Sequence, residues 1–301
     1  MIGKSLVLLF AFAAIASADT RFNFIHYHDG TTTEYSTDTL PQILTHPSFR
    51  RTGETVAFHY GAGQNLGSAE VSDIINSYIS NERYNLIVIH YFNMEVISTD
   101  NAVSLSDVLA TTFTRLFDTG YNSGFMNFVG HALGAQILAR TSRLIQNRAN
   151  FRHVIGRLTG LDPASMGPVA TIQIGRLTSA DAQFVETIHT DGTLNGDHLS
   201  FGHVSFFPNG GENQPFCTNT IPTIRANCNT VFSLTMWAES VRATSQIFPS
   251  LQCDTWPRYT AGVCNNNHIA HLGRITDNNL RGTYFLRTNN APPFNRETPF
   301  P

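Results

Sequence analysis

Apolar and polar positions along the chain follow two periods, and the period predicts the elements. Phe22 to His28 alternates apolar and polar residues and reads as a first strand. Val56-Ala57-Phe58-His59 reads as a second, closed by Tyr60-Gly61-Ala62-Gly63. From Val71 to Ile79 apolar side chains recur at helical spacing, whereas Leu86-Ile87-Val88-Ile89 is a continuous apolar run, the pattern of a strand buried on both faces. Leu105 to Phe117 is helical, with Leu105, Val108, Leu109, Phe113 and Leu116 along one side. Met126 to Val129 then runs as an apolar strand into Gly130-His131-Ala132-Leu133-Gly134, and a helix-forming run, Ile137 to Leu144, follows. Val154 to Leu161 is a further strand that stops at Asp162-Pro163. Phe184 to Ile188, Val204 to Phe207 and Thr283 to Leu286 are later strands, and Phe232 to Ile247 is a helix. Strands alternating with helices through the first two-thirds predict an α/β fold with a mostly parallel sheet covered on both faces. Without an internal repeat, a low-complexity run or a long linker, one domain over residues 19–301 is expected.

The start of the chain changes the compartment. Lys4, an apolar run from Leu6 to Ile15 and then Ala16-Ser17-Ala18 form a secretory signal over residues 1–18. That run is too short to span a bilayer, and no other stretch approaches the roughly 18–20 apolar residues a span needs. The expected protein is extracellular. Its four cysteines, Cys217, Cys228, Cys253 and Cys264, fit two disulfides in an exported chain. Four cysteines allow three connectivities, of which the local pairs Cys217–Cys228 and Cys253–Cys264 are the simplest. A zinc site is the competing reading, but no C-x-x-C spacing supports it. Charged residues make up 14% of the chain, with a formal net charge of -3, which gives no electrostatic case for nucleic acid or an anionic membrane. The sequence contains no Asn-x-Ser/Thr acceptor for a glycan.

Candidate chemistry centres on Gly130-His131-Ala132-Leu133-Gly134. A strand, a Gly-x-x-x-Gly turn and a helix are the layout of a nucleophile elbow, in which the residue between the glycines is thrust outward. Acyl transfer needs a hydroxyl there, and Ala132 has only a methyl group.

Several ordered segments extend the picture. Phe128 to Ala135 resembles the elbow of the pancreatic-type neutral lipases, which have Ser at the Ala132 position. Leu158-Thr159-Gly160-Leu161-Asp162-Pro163-Ala164 resembles the strand end carrying that family's catalytic acid. Ile188-His189-Thr190-Asp191-Gly192, the stretch from Gly202 to Gly211, Ala238-Glu239-Ser240 and Tyr284 to Thr288 match further family signatures, over roughly residues 20–295 in all. The resemblance implies an α/β-hydrolase fold with a short disulfide-closed lid (Thr218 to Asn227, with Ile221, Pro222 and Ile224) and no C-terminal lipid-binding module. In size the chain resembles the insect branch that holds phospholipase A1-like venom proteins and fly yolk proteins.

Carried over residue by residue, the resemblance places the nucleophile position at Ala132, the acid at Asp162 and the base at Thr230, where a His is expected on the segment entering the late helix. A Thr hydroxyl cannot serve as a general base near neutral pH, although it is a plausible hydrogen-bond partner for Asp162. For the oxyanion hole the resemblance implies backbone N–H groups of Leu133 and of the His59-Tyr60-Gly61 turn, where Tyr60 replaces a Gly. In a serine protease, loss of the nucleophile or base costs roughly 10⁶ in turnover and leaves about 10³–10⁴ over water. A secreted, catalytically inactive lipase homologue that binds, stores or carries a lipid or other apolar ligand is the leading expectation. A weak or altered carboxylic ester hydrolase (triacylglycerol lipase or phospholipase A1) and a yolk, salivary or seminal interaction protein are the alternatives. Of the twelve histidines, His189 and His203 sit in scaffold signatures, while His268 and His271 are a metal candidate that no carboxylate or cysteine completes. No cofactor or metal is expected, and no feature names a protein partner or oligomeric state.

Overall fold

The computed structural model describes residues 22–81, 83–91, 99–166 and 173–301, so the expected export signal lies outside the described residues. One sheet of eleven strands runs through them. In chain order these are β1 (Phe22–His28), β2 (Thr31–Tyr35), β3 (Thr55–His59), β4 (Asn85–Tyr91), β5 (Met126–His131) and β6 (Arg157–Leu161). They continue as β7 (Phe184–Ile188), β8 (Val204–Pro208), β9 (Pro249–Gln252), β10 (Ile269–His271) and β11 (Gly282–Leu286). The spatial order is β10-β9-β11-β8-β7-β6-β5-β3-β4-β1-β2. From β4 to β11 all neighbours are parallel, and an antiparallel pair closes each end.

Strand alternation divides the side chains between two layers. Ala57, Ile87, Ile89 and Phe128 face one side, where helices α2 (Thr99–Asp118) and α3 (Leu133–Arg148) pack together. Val56, Phe58, Leu86, Val88 and Val129 face the other, beneath α1 (Ala69–Ile79) and α4 (Pro222–Arg242). This is the expected mostly parallel sheet with helices on both faces. Between β6 and β7 lies a buried ion pair. Arg157 donates from Nε (2.9 Å) and Nη2 (2.5 Å) to Oε1 of Glu186, which also accepts from Thr159 Oγ1 at 2.8 Å.

Three strands depart from the expectation. The pattern did not predict β2, β9 or β10, which lie at or next to the sheet's two edges. At β2, Thr31, Thr32 and Glu34 are exposed and only Tyr35 is buried, which is too little apolar surface to mark a polar edge strand. The late helix also shifts, from the expected Phe232–Ile247 to Pro222–Arg242. Pro222 sits in its first turn, where a fixed φ favours helix initiation, and the chain turns extended at Ala243. Cys217 is bonded to Cys228 and Cys253 to Cys264, which leaves no cysteine for a zinc site.

Candidate active site

The turn after β5 has the geometry its glycines predict. Ala132 adopts φ +49° and ψ −119°, a conformation that L residues rarely hold, and its N–H donates to Leu161 O at 2.9 Å. A Cβ on Gly130 would stand 2.5 Å from Ala135 Cα, and one on Gly134 would stand 2.6 Å from His59 O. Neither position accepts a side chain without moving backbone, so both glycines are required by the close approach of strand, helix and neighbouring turn. Ala132 itself is half-buried and lines a cavity of about 500 Å³, together with Leu133, Ala164, Leu194, Thr230 and Val231 among others.

Asp162 follows β6 with φ +45° and is fully buried. Its Oδ1 accepts the N–H groups of Thr190 (2.8 Å) and Asp191 (2.9 Å), while Oδ2 has no hydrogen-bond partner. Gly196 closes the other side, since a Cβ there would lie 2.6 Å from Asp162 Oδ1. Burial pushes the Asp162 pKa up to about 7, against the pull of the two N–H donors and the nearby Thr230 hydroxyl, with Asp191 adding to the rise.

Thr230 is buried, two turns inside α4 rather than on a segment leading into it. By geometry its Oγ1 donates to Asp191 Oδ2 at 3.5 Å, not to Asp162, so the expected Thr230–Asp162 hydrogen bond gives way to a weaker contact with the neighbouring carboxylate. Asp191 Oδ2 also accepts the Asn195 N–H at 2.9 Å.

His131 ties the elbow to this helix. Its Nε2 lies 3.2 Å from Thr230 O and its Nδ1 2.8 Å from Gln64 Oε1. Burial pulls its pKa down to about 4, so the ring is neutral and its single N–H serves one of these two acceptor oxygens. Ser165 places a second hydroxyl on the cavity wall, which the sequence did not signal because residue 165 is far from the elbow along the chain. Leu133 lines the cavity, as an oxyanion donor should. Tyr60 does not: its ring is buried, with the hydroxyl 2.6 Å from His90 Nδ1, and the next N–H, of Gly61, donates to Gln64 Oε1 at 2.8 Å.

The expected lid is mostly helix. Only Thr218 to Ile221 precede α4, and Pro222 and Ile224 belong to its first turn. Ile221 and Ile224 are exposed and do not line the cavity, whose rim Asn195 and Asn227 bridge through a side-chain hydrogen bond of 3.2 Å. His189 stacks on Phe207 with ring centroids 4.6 Å apart, and His203 accepts the Val185 N–H at 2.9 Å, so both serve the scaffold. His268 contacts Tyr284 Oη at 3.1 Å and joins His271 in no metal-holding group among the described residues. Nor is any described helix long and apolar enough to cross a membrane.

Comparison with known proteins agrees with this architecture. Pancreatic triacylglycerol lipase of Oryctolagus cuniculus is 31% identical over 204 residues, 59% of this chain and 42% of the relative. Pancreatic lipase-related protein 2 of Myocastor coypus is 26% identical over 316 residues, 94% of this chain and 66% of the relative. Phospholipase A1 member A of Rattus norvegicus is 28% identical over 169 residues, 56% of this chain and 36% of the relative. The chain thus spans less than half the length of the pancreatic triacylglycerol lipase and of the phospholipase. Residues 12–294 match the lipase family, and the chain, with its α/β-hydrolase sheet and elbow, belongs to that family.

Proposed function

We propose that this is an exported lipase-family protein that holds an acyl chain or similar apolar ligand in the elbow cavity without hydrolysing it. The observation that carries the reading is the methyl group of Ala132 at the elbow's apex, with a threonine at the base position. Ester hydrolysis by the family's route needs an attacking oxygen and an imidazole to take its proton. Ser165 offers an oxygen on the cavity wall, but His131, the imidazole that lines the cavity among the described residues, turns its ring nitrogens to Gln64 Oε1 and Thr230 O. The cavity falls within the 300–1,000 Å³ or so typical of small-molecule sites, and Ala62, Leu133, Leu194 and Val231 give it apolar walls. Two disulfides fit an oxidising, extracellular setting.

Solvent extraction and mass spectrometry of the purified protein test the binding half. A bound fatty acid or phospholipid at near one per chain is expected, and lipid-free protein that also fails to take up a fluorescent fatty acid overturns it. Assays on short-chain esters and phospholipids test the other half: the wild-type chain is expected to show no turnover above background, and measurable wild-type turnover sinks the reading. In the Ala132→Ser, Thr230→His double variant, turnover is expected to rise above background, because both positions line the same cavity.

A further inference from the structure

We propose that His26, His28 and His46 form a binding site for a divalent transition-metal ion of the zinc type, at the β1–β2 edge of the sheet and apart from the elbow cavity. His26 and His28 are two residues apart on β1, so strand alternation puts both on one face. His46 arrives from the end of a 3₁₀ turn, Leu40–Thr45, whose Leu40, Ile43 and Leu44 are buried, and its N–H is fixed to Ile43 O at 3.0 Å. One ligand atom from each imidazole lies within 4.8 Å of the others, and the His28 and His46 ring centroids are 4.1 Å apart. Around a tetrahedral zinc with bonds of about 2.0–2.1 Å, nitrogen pairs stand roughly 3.3–3.4 Å apart, so closure asks for side-chain shifts of about an ångström.

Two further observations mark the cluster as more than packed rings. His26 is 1% exposed, yet its Nδ1 has no hydrogen-bond partner, an exception to the rule that buried polar atoms are paired. The Thr33 hydroxyl, directly across the strand pair from His26, meets His28 Nε2 at 2.9 Å and His46 Nε2 at 3.4 Å, so two ring nitrogens already converge on one point. One outer contact suits a metal ligand and one opposes it. Asp29 Oδ2 lies 3.8 Å from His28 Nδ1, where the carboxylate partner of a ligating imidazole belongs. Ser48 N–H donates to His46 Nδ1 at 3.2 Å, so that contact has to break, and Nδ1 has to take up the proton, when Nε2 binds the ion. His28 and His46 are half-buried, which gives the ion a way in. Three imidazoles suit zinc, copper or nickel better than calcium or magnesium.

Titration calorimetry of the full chain, expressed without a histidine tag and stripped with chelator, with zinc chloride is the test. One saturable site per chain is expected. The His28→Ala, His46→Ala double variant should lose at least about tenfold in affinity, since even outer-shell partners act on a scale of about 10–100-fold. A His268→Ala control should bind as wild type does. His46→Gln alone serves if the double variant does not fold, and cobalt(II) added to wild-type protein should give the visible absorption of a tetrahedral nitrogen site. Absence of saturable zinc binding by the wild-type chain, or undiminished affinity in a folded His46 variant, overturns the proposal.

Discussion

Replacing Asp162 by asparagine probes the buried carboxyl that follows β6. The carboxyl is fully buried, and its pKa is pushed up from 3.8 to about 7, chiefly by burial. A group that binds its proton more tightly folded than unfolded costs stability as pH rises. The cost is absent below about pH 4, grows across the interval and is complete above about pH 7. At about 1.36 kcal/mol per pKa unit, a rise of roughly three units amounts to about 4 kcal/mol at pH 8, of which less than half is already present at pH 5. The amide of the Asp162→Asn variant would keep an oxygen for the N–H groups of Thr190 and Asp191, and would put an NH₂ where Oδ2 now has no partner. Urea unfolding of wild type and Asp162→Asn at pH 5 and pH 8 measures the effect, because other ionisations cancel in the difference. The variant should gain about 2–3 kcal/mol on the wild type between the two pH values. A difference that does not change with pH, or that changes the other way, would refute the reasoning and show the carboxylate to be stabilised in its pocket.

Ala132→Gly should stabilise the fold by about 1 kcal/mol in the same unfolding assay. Strain of about 1–3 kcal/mol at a sparsely populated φ/ψ is relieved, against about 0.5–1 kcal/mol for the freer unfolded glycine. Lower stability in the variant would show that the Ala132 conformation is not strained. Arg157→Met should destabilise by about 3–5 kcal/mol, because it leaves the buried Glu186 carboxylate without its cation. Adding Glu186→Gln should recover part of that loss, and no recovery would mean that Arg157 acts through packing alone.

The central sheet was legible because each of its strands carries a buried face, and β1 and β7 begin and end where the pattern places them. The edges were not, since β2 offers exposed threonines to the solvent and no apolar stripe to the core. At the site, the glycine spacing and Asp162-Pro163 could be read directly. The contacts that decide the chemistry lie elsewhere in the chain. Thr230 reaches Asp191, 39 residues away, and His131 reaches Thr230, 99 residues away, so neither partner follows from local pattern. The alternation over Phe22 to His28 marked a strand without singling out His26 and His28, and only the fold brings His46 to them.

The elbow separates positions that shape from a position that is merely shaped. Residues 130 and 134 are pinned by backbone atoms closer than any Cβ tolerates, whereas residue 132 points into open volume. In a library of substitutions the turn is therefore brittle at its glycines and permissive at its apex. Chemistry can be written or erased at that apex, where each L residue takes on the same strained φ/ψ and not a backbone clash.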